Sequence, residues 1–269
     1  MKTKKTRIRP IHIPETLIRY RDLVFLVCLV EFFAIVAMFI SIKPSVVPSD
    51  IVFMFLPAPH IIISVLIGLY FLYRIFIGTA KKTSMALGLS YFFYAFFMTW
   101  FILYAKYSWS QHKAIVFAFF QGLIIFLALN FYGVVRGFLK RHKDSVILVF
   151  VIIVCGDIML AVSLIISGIF VALCVLNFLL LLPLSSVYIY VFWIIGKQTR
   201  FISPRVLLVS WLLFALFNLA WSITGDINII IIFLELQILP LVLMLVGYVA
   251  LGLEIKINTL MEEIEMLRS

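Results

Sequence analysis

The sequence predicts an all-α fold: a polytopic transmembrane helical bundle of about eight spans, with a short amphipathic helix at the C-terminal end. Three observations predict it. The 269-residue chain is 65% hydrophobic and 13% charged, with a mean hydropathy of +1.22, whereas a soluble domain is about half apolar and about a quarter charged. Its apolar residues run on for about 20 at a time, the length that crosses hydrocarbon as a helix, where a membrane β-barrel would alternate over strands of about 10 residues. Finally, the formal charge of +10 is gathered in the segments between those runs.

Residues 1–22 read as a basic cytoplasmic segment, 23–252 as the bundle and 253–269 as a cytoplasmic helix. Spans are expected at 23–42, 61–78, 85–105, 114–135, 145–166, 170–195, 206–223 and 229–252. The first follows basic residues as a signal peptide does, but it is too long and has no small-residue cleavage site, so it reads as a retained span. Residues 145–196 form a single apolar run, far longer as one helix than a bilayer is thick. Ser167-Gly168 is the expected hairpin within it; without that hairpin there would be seven spans and the C-terminus would change side. In "IVFMFLPAPH", within the longest external loop at 43–60, Pro57 and Pro59 interrupt an apolar stretch too short to cross, which suits the interface.

Charge sets the orientation. With the N-terminus inside, every Lys and Arg except Lys43, Lys106 and Lys113 lies on the cytoplasmic side, as the positive-inside rule requires. The protein is thus expected in the cell membrane with both termini cytoplasmic. The same basic face attracts anionic membrane lipids, which accounts for the net charge without nucleic acid.

Catalytic chemistry is not indicated. Cys28, Cys155 and Cys174 fall inside apolar runs, with no CxxC and no Cys/His cluster, so neither a disulfide framework nor a metal site is expected. His12, His60, His112 and His142 lie in loops or at span ends, which does not suit haem ligation. No lysine is expected mid-span to carry a Schiff base, and HExxH, GxSxG and Walker A patterns are missing. "MEEIE" reads as a solvated face. No cofactor and no enzymatic activity are expected.

The polar groups within the spans are the candidate site. Glu31, Asp157 and Glu235 lie about 13, 20 and 10 Å into their spans at about 1.5 Å per residue. An acid placed there costs at least about 2.5 kcal/mol, so each should face the bundle interior or be protonated. Gln121, Asn130, Asn177, Asn218 and Gln237 add uncharged groups. Glu31, Asp157, Glu235, Gln121, Asn130, Asn218 and Gln237 could form an intramembrane site for a proton, a cation or a small ligand. Alternatively they supply hydrogen bonds between helices, about 1 kcal/mol each. Trp100, Trp109 and Trp221 near the outer interface and Trp193 near the inner are expected anchors.

Four segments begin alike: "RYRDLVFLV", "KKTSMALGL", "RHKDSVILV" and "RFISPRVLLV". Asp22, Ser84, Asp144 and Ser203 suit helix N-caps, since a side-chain oxygen can accept an orphan backbone N–H, and Pro204 suits a first turn. The near-equal steps between them suggest a parallel repeat of a two-helix unit, although any basic, capped inner loop would look similar.

The chain closes with "LGLEIKINTLMEEIEMLRS". Leu253, Ile257, Leu260, Ile264 and Leu267 follow the a/d spacing of a coiled coil, and the series reaches back to Ala250. Pairing with a second copy would bury this edge. The polar face is acidic, which disfavours lying on the membrane. Pro240 is expected to bend the last span and supply a hinge.

The hairpins around "YFLYRIFIGTAKKTSMALGLSYFFYAF" and the emerging helix "EIKINTLMEEIEMLRS" resemble the multi-span membrane sensor regions, of seven or eight transmembrane helices, of archaeal and bacterial histidine kinases. In that family such a helix leads to PAS or kinase domains. None follows in this sequence, so the resemblance implies a sensor-like, signal-transducing or partner-recruiting module, acting through a homodimer or a cytoplasmic or membrane partner. An ion- or proton-coupled transporter and a structural subunit of a membrane complex are the alternatives.

Overall fold

The computed structural model describes residues 57–77, 81–106, 113–136, 142–199, 201–224, 232–233 and 235–268. Among them are α1 (Ala58–Phe76), α2 (Lys81–Lys106), α3 (Lys113–Val135), α4 (His142–Ile166), α5, α6 (Ser203–Thr224) and α7 (Ile238–Arg268). Helix α5 runs as Ile169–Leu176, a π-turn Asn177–Leu181 and Leu182–Thr199. The described residues contain no strand. Six of these helices are long and apolar enough to cross a membrane, which fits a multi-pass membrane protein. The expected first span at 23–42, with Glu31 and Asp22, lies outside the described residues.

Each helix packs on the next in the chain, and α7 returns to α1. Helix α3 is the core, with 89% of its span buried against 28–44% in the other five. Its sequence "FAFFQGLIIFLALNF" is apolar all round, the pattern of a helix enclosed on every side, and α2, α4 and α5 all pack on it. The outer helices keep an aliphatic face turned outward: Ile147, Ile158 and Ile165 on α4 and Val246 on α7 are all exposed. Water would penalise that arrangement and lipid does not.

The apolar run at 145–196 breaks where expected. Ser167 and Gly168 both donate their N–H to the Ser163 carbonyl, at 2.9 and 3.1 Å, closing the last turn of α4. Gly168 adopts φ +90°, a conformation that a Cβ disfavours. Helix α5 then starts at Ile169 and packs back on α4.

Other helix ends differ from expectation. Helix α2 starts at Lys81, so Ser84 is buried one turn inside it rather than capping it. Helix α4 starts at His142, ahead of Asp144. Neither basic lead-in contains a Pro or Gly to stop the helix from growing back through it. In α6 the first carbonyl acceptor is Ile202, which takes the N–H of Arg205 and Val206 at 3.0 and 3.2 Å. Ser203 is therefore in the first turn with Pro204. Pro240 also sits in a first turn, because α7 begins only at Ile238. Helical residues at 232–233 and 235–236 lead up to it, the Gln237 N–H donates to the Phe233 carbonyl at 3.0 Å, and the helix is interrupted at Gln237, just ahead of the proline that supplies no N–H to the preceding turn.

Small residues set the closest crossings. On α3, a Cβ at Gly122 would meet the Phe93 carbonyl oxygen and Phe96 Cδ1, both at 3.0 Å. Replacing Gly122→Val should therefore overpack the α2–α3 crossing by about 1–3 kcal/mol and lower the thermal unfolding midpoint in detergent. Gly196→Ala, whose nearest neighbour would be Arg205 Cγ at an ordinary contact of 3.5 Å, should instead raise that midpoint slightly, since alanine is favoured over glycine in a helix by up to about 1 kcal/mol.

Candidate functional site

Four helices bring aromatic side chains to one buried point. Tyr91 comes from α2, Tyr188 from α5, Trp211 from α6 and Tyr248 from α7, and all four are buried. Ring centroids lie 4.4 Å apart for Tyr188–Trp211 and 6.1 Å for Tyr91–Tyr248. Phe126 of α3 stacks on Trp211 at 6.1 Å, and Phe71 of α1 meets Tyr248 edge-on at 5.0 Å. Edge-to-face and offset ring pairs of this kind contribute about 0.5–1.5 kcal/mol each beyond area burial.

Hydroxyls make this node polar inside. Tyr91 donates to Met244 Sδ at 3.3 Å, and Tyr188 donates to the Leu127 carbonyl at 2.6 Å. Tyr91 and Trp211 face the Tyr248 hydroxyl, yet that hydroxyl and the Trp211 Nε1 are buried without hydrogen-bond geometry to any partner. A buried unpaired donor costs about 1–3 kcal/mol. Small rotations of these rings would therefore change real energies.

The node grips α7 on its bundle-facing side, through Met244 and Tyr248. Further along, Tyr70 of α1 donates its hydroxyl to the Tyr248 carbonyl at 3.0 Å and lies across Gly252. Nearly two turns beyond Tyr248, Glu254 reaches the start of α6. Its carboxylate accepts the N–H of Ile202 at 3.1 Å and that of Ser203 at 3.4 Å, and also the Ser203 hydroxyl. The two amides belong to the helix end where backbone N–H groups lack intrahelical partners, and a carboxylate suits the positive end of the helix dipole. Glu254 thus performs from α7 the capping role that the sequence assigned to Ser203. Beyond it, Leu253, Ile257, Leu260 and Ile264 are exposed on the tail of α7, and Leu267 lies in its last turn.

The polar residues expected to form one intramembrane site are divided among several contacts. Gln121 of α3 faces Asp157 of α4, whose Oδ1 has no hydrogen-bond partner. Asn130 of α3 donates to Ser90 Oγ of α2 at 2.7 Å. Asn218 of α6 donates to its own helix at Phe214 (2.7 Å), while its carbonyl accepts from Asn177 of α5 at 3.4 Å. Asn177 opens the π-turn and also donates to Ser222 Oγ at 2.5 Å; π-turns recur at functional positions. Gln237 is buried at the start of α7, and Glu235 is exposed. Of the anchor tryptophans, Trp193 has Lys197 Nζ 3.9 Å above its ring.

The aromatic node was not foreseen. The sequence offered no clear signal, because Tyr91, Tyr188, Trp211 and Tyr248 lie near the inner ends of the expected spans, where tyrosine and tryptophan ordinarily concentrate. No protein-family model matches the chain, and no curated protein or solved structure matches it either.

The Glu254 contact is directly testable. Glu254→Ala should cost about 0.5–2 kcal/mol, as loss of an N-cap does. It should also speed hydrogen exchange at the Ile202 and Ser203 amides while leaving amides in α3 unchanged. Glu254→Gln, which keeps an acceptor, should show a smaller increase.

Proposed function

We propose that this is an eight-span, sensor-like membrane protein with both termini cytoplasmic and no enzymatic activity, in which α7 is the output element. It would read a small or lipidic signal in the bundle and pass a displacement to the tail. One observation carries the proposal: α7 is a single 31-residue helix whose first half is held by the aromatic node and whose last turns are exposed. A helix of that length spans about 45 Å, more than the hydrocarbon thickness of about 30 Å. A shift of Tyr248 or Met244 is therefore carried rigidly to Ile264. The Glu254 contact with α6 fixes the resting position at the point of exit.

Nitroxides at Gln198 and Glu262, both on exposed positions, would report the tail against the bundle in lipid nanodiscs. Tyr248→Ala and Trp211→Phe should displace or broaden the distance distribution relative to the wild type. An unchanged distribution in both variants contradicts the coupling.

The Gln121–Asp157 pair favours a second reading, a proton-coupled transporter, because a carboxyl with one unpaired oxygen within a span can take up and release a proton. In proteoliposomes carrying a pH-sensitive dye, a proton flux lost in Asp157→Asn, Glu31→Gln or Glu235→Gln would support it. Flux indistinguishable from empty vesicles in the wild type would remove it.

A further inference from the structure

The exposed edge of α7 is continuous across two solvents. At about 100° per residue, Leu239, Val242, Val246, Leu253, Ile257, Leu260 and Ile264 fall within a stripe about 60° wide. All seven are exposed. The stripe lies opposite the bundle-facing side, where Leu241, Met244, Gly247 and Tyr248 are buried. One helix therefore presents an unbroken apolar seam that starts in the membrane-crossing half and runs on into the tail, where an exposed isolated helix is marginal in water.

We infer that a second copy of this chain covers the seam, forming a parallel, in-register, two-stranded interface along α7 from Leu239 to Leu267. This rests on the reading of α7 as the output helix and names its partner. Three features select that occupant. Copies inserted with the same topology place their α7 helices parallel. The four-three spacing puts Ile257 and Ile264 at a and Leu253, Leu260 and Leu267 at d, and β-branched a with leucine d favours two parallel strands. The same register puts Glu263 at g and Arg268 at the following e, the positions that pair across a parallel coil with opposite charge, and it brings no like charges together there. Nearer the bundle, Gly252 and Glu254 stay engaged with Tyr70 and α6 on the opposite or flanking faces, so pairing need not release them.

The test uses the full chain in lipid vesicles with Cys28→Ser, Cys155→Ser and Cys174→Ser as background. Single cysteines at Val246, Leu253, Ile257, Leu260 and Ile264 should give disulfide-linked dimer several-fold above cysteines at Asn258, Glu262 and Glu265. Glu263→Arg should reduce the Ile264 crosslink, and adding Arg268→Glu should restore it. Equal crosslinking at all positions, a monomeric mass in nanodiscs, or failure of the charge swap to rescue overturns the parallel dimer. The two readings separate cleanly. If node variants move the tail in a monomer, the output role stands and the dimer falls. If periodic crosslinks form but ignore Tyr248→Ala, the dimer stands and the coupling falls.

Discussion

A helix that leaves a bilayer keeps its backbone hydrogen bonds and loses the solvent that tolerated its apolar side chains. In the proposed reading α7 makes that change of solvent along its length, and this is the constraint on which the proposal turns. Within the bundle, Met244 and Tyr248 are buried in the aromatic node, and Val246 is exposed on the opposite side. Past Glu254 the same helical repeat delivers Ile257, Leu260 and Ile264 to exposed positions. The hydrophobic effect, absent between helices inside lipid, becomes available at that point. In the proposed dimer, association that would be weak along Leu239 and Val246 alone would gain its driving force in the tail.

The bundle holds this helix by apolar packing and by a few polar contacts. Helix α3 fills the centre with aliphatic and aromatic packing, and its polar contacts to neighbours are few: Asn130 to Ser90, Gln121 to Asp157 and the Leu127 carbonyl to Tyr188. Against α7 the contacts are of a different kind. A hydroxyl on a thioether, a hydroxyl on a backbone carbonyl and a carboxylate across a helix end are each directional and individually modest. Tyr248 and Trp211 even retain unused hydrogen-bonding capacity.

The helical, multi-pass character was legible in the sequence because span length is dictated by the membrane alone. The break at Ser167-Gly168 was readable from length, since no single helix could hold the run around it. Helix starts at Lys81 and His142 were misplaced by a few residues because capping chemistry loses to helix extension when nothing interrupts the chain. Pro240 was readable as a break in the last helical run, and the interruption falls at Gln237 just ahead of it. Polar residues were easy to list, but sequence cannot pair Gln121 with Asp157, or Asn177 with Ser222, because those contacts depend on how helices distant in the chain rotate about their axes. The aromatic node was hidden by the same ignorance, since 27 phenylalanines and 11 tyrosines give no hint of which few converge.

The most direct measurement is hydrogen–deuterium exchange along residues 253–268 of the full-length protein in lipid nanodiscs. An unpartnered helix of this length frays in water, whereas one anchored in the bundle and paired along its apolar edge retains its amide hydrogens. The account requires protection that continues without a break from Tyr248 to Ile264, with faster exchange confined to the final turn. Exchange at the rate of an unstructured peptide immediately beyond Glu254 would contradict it.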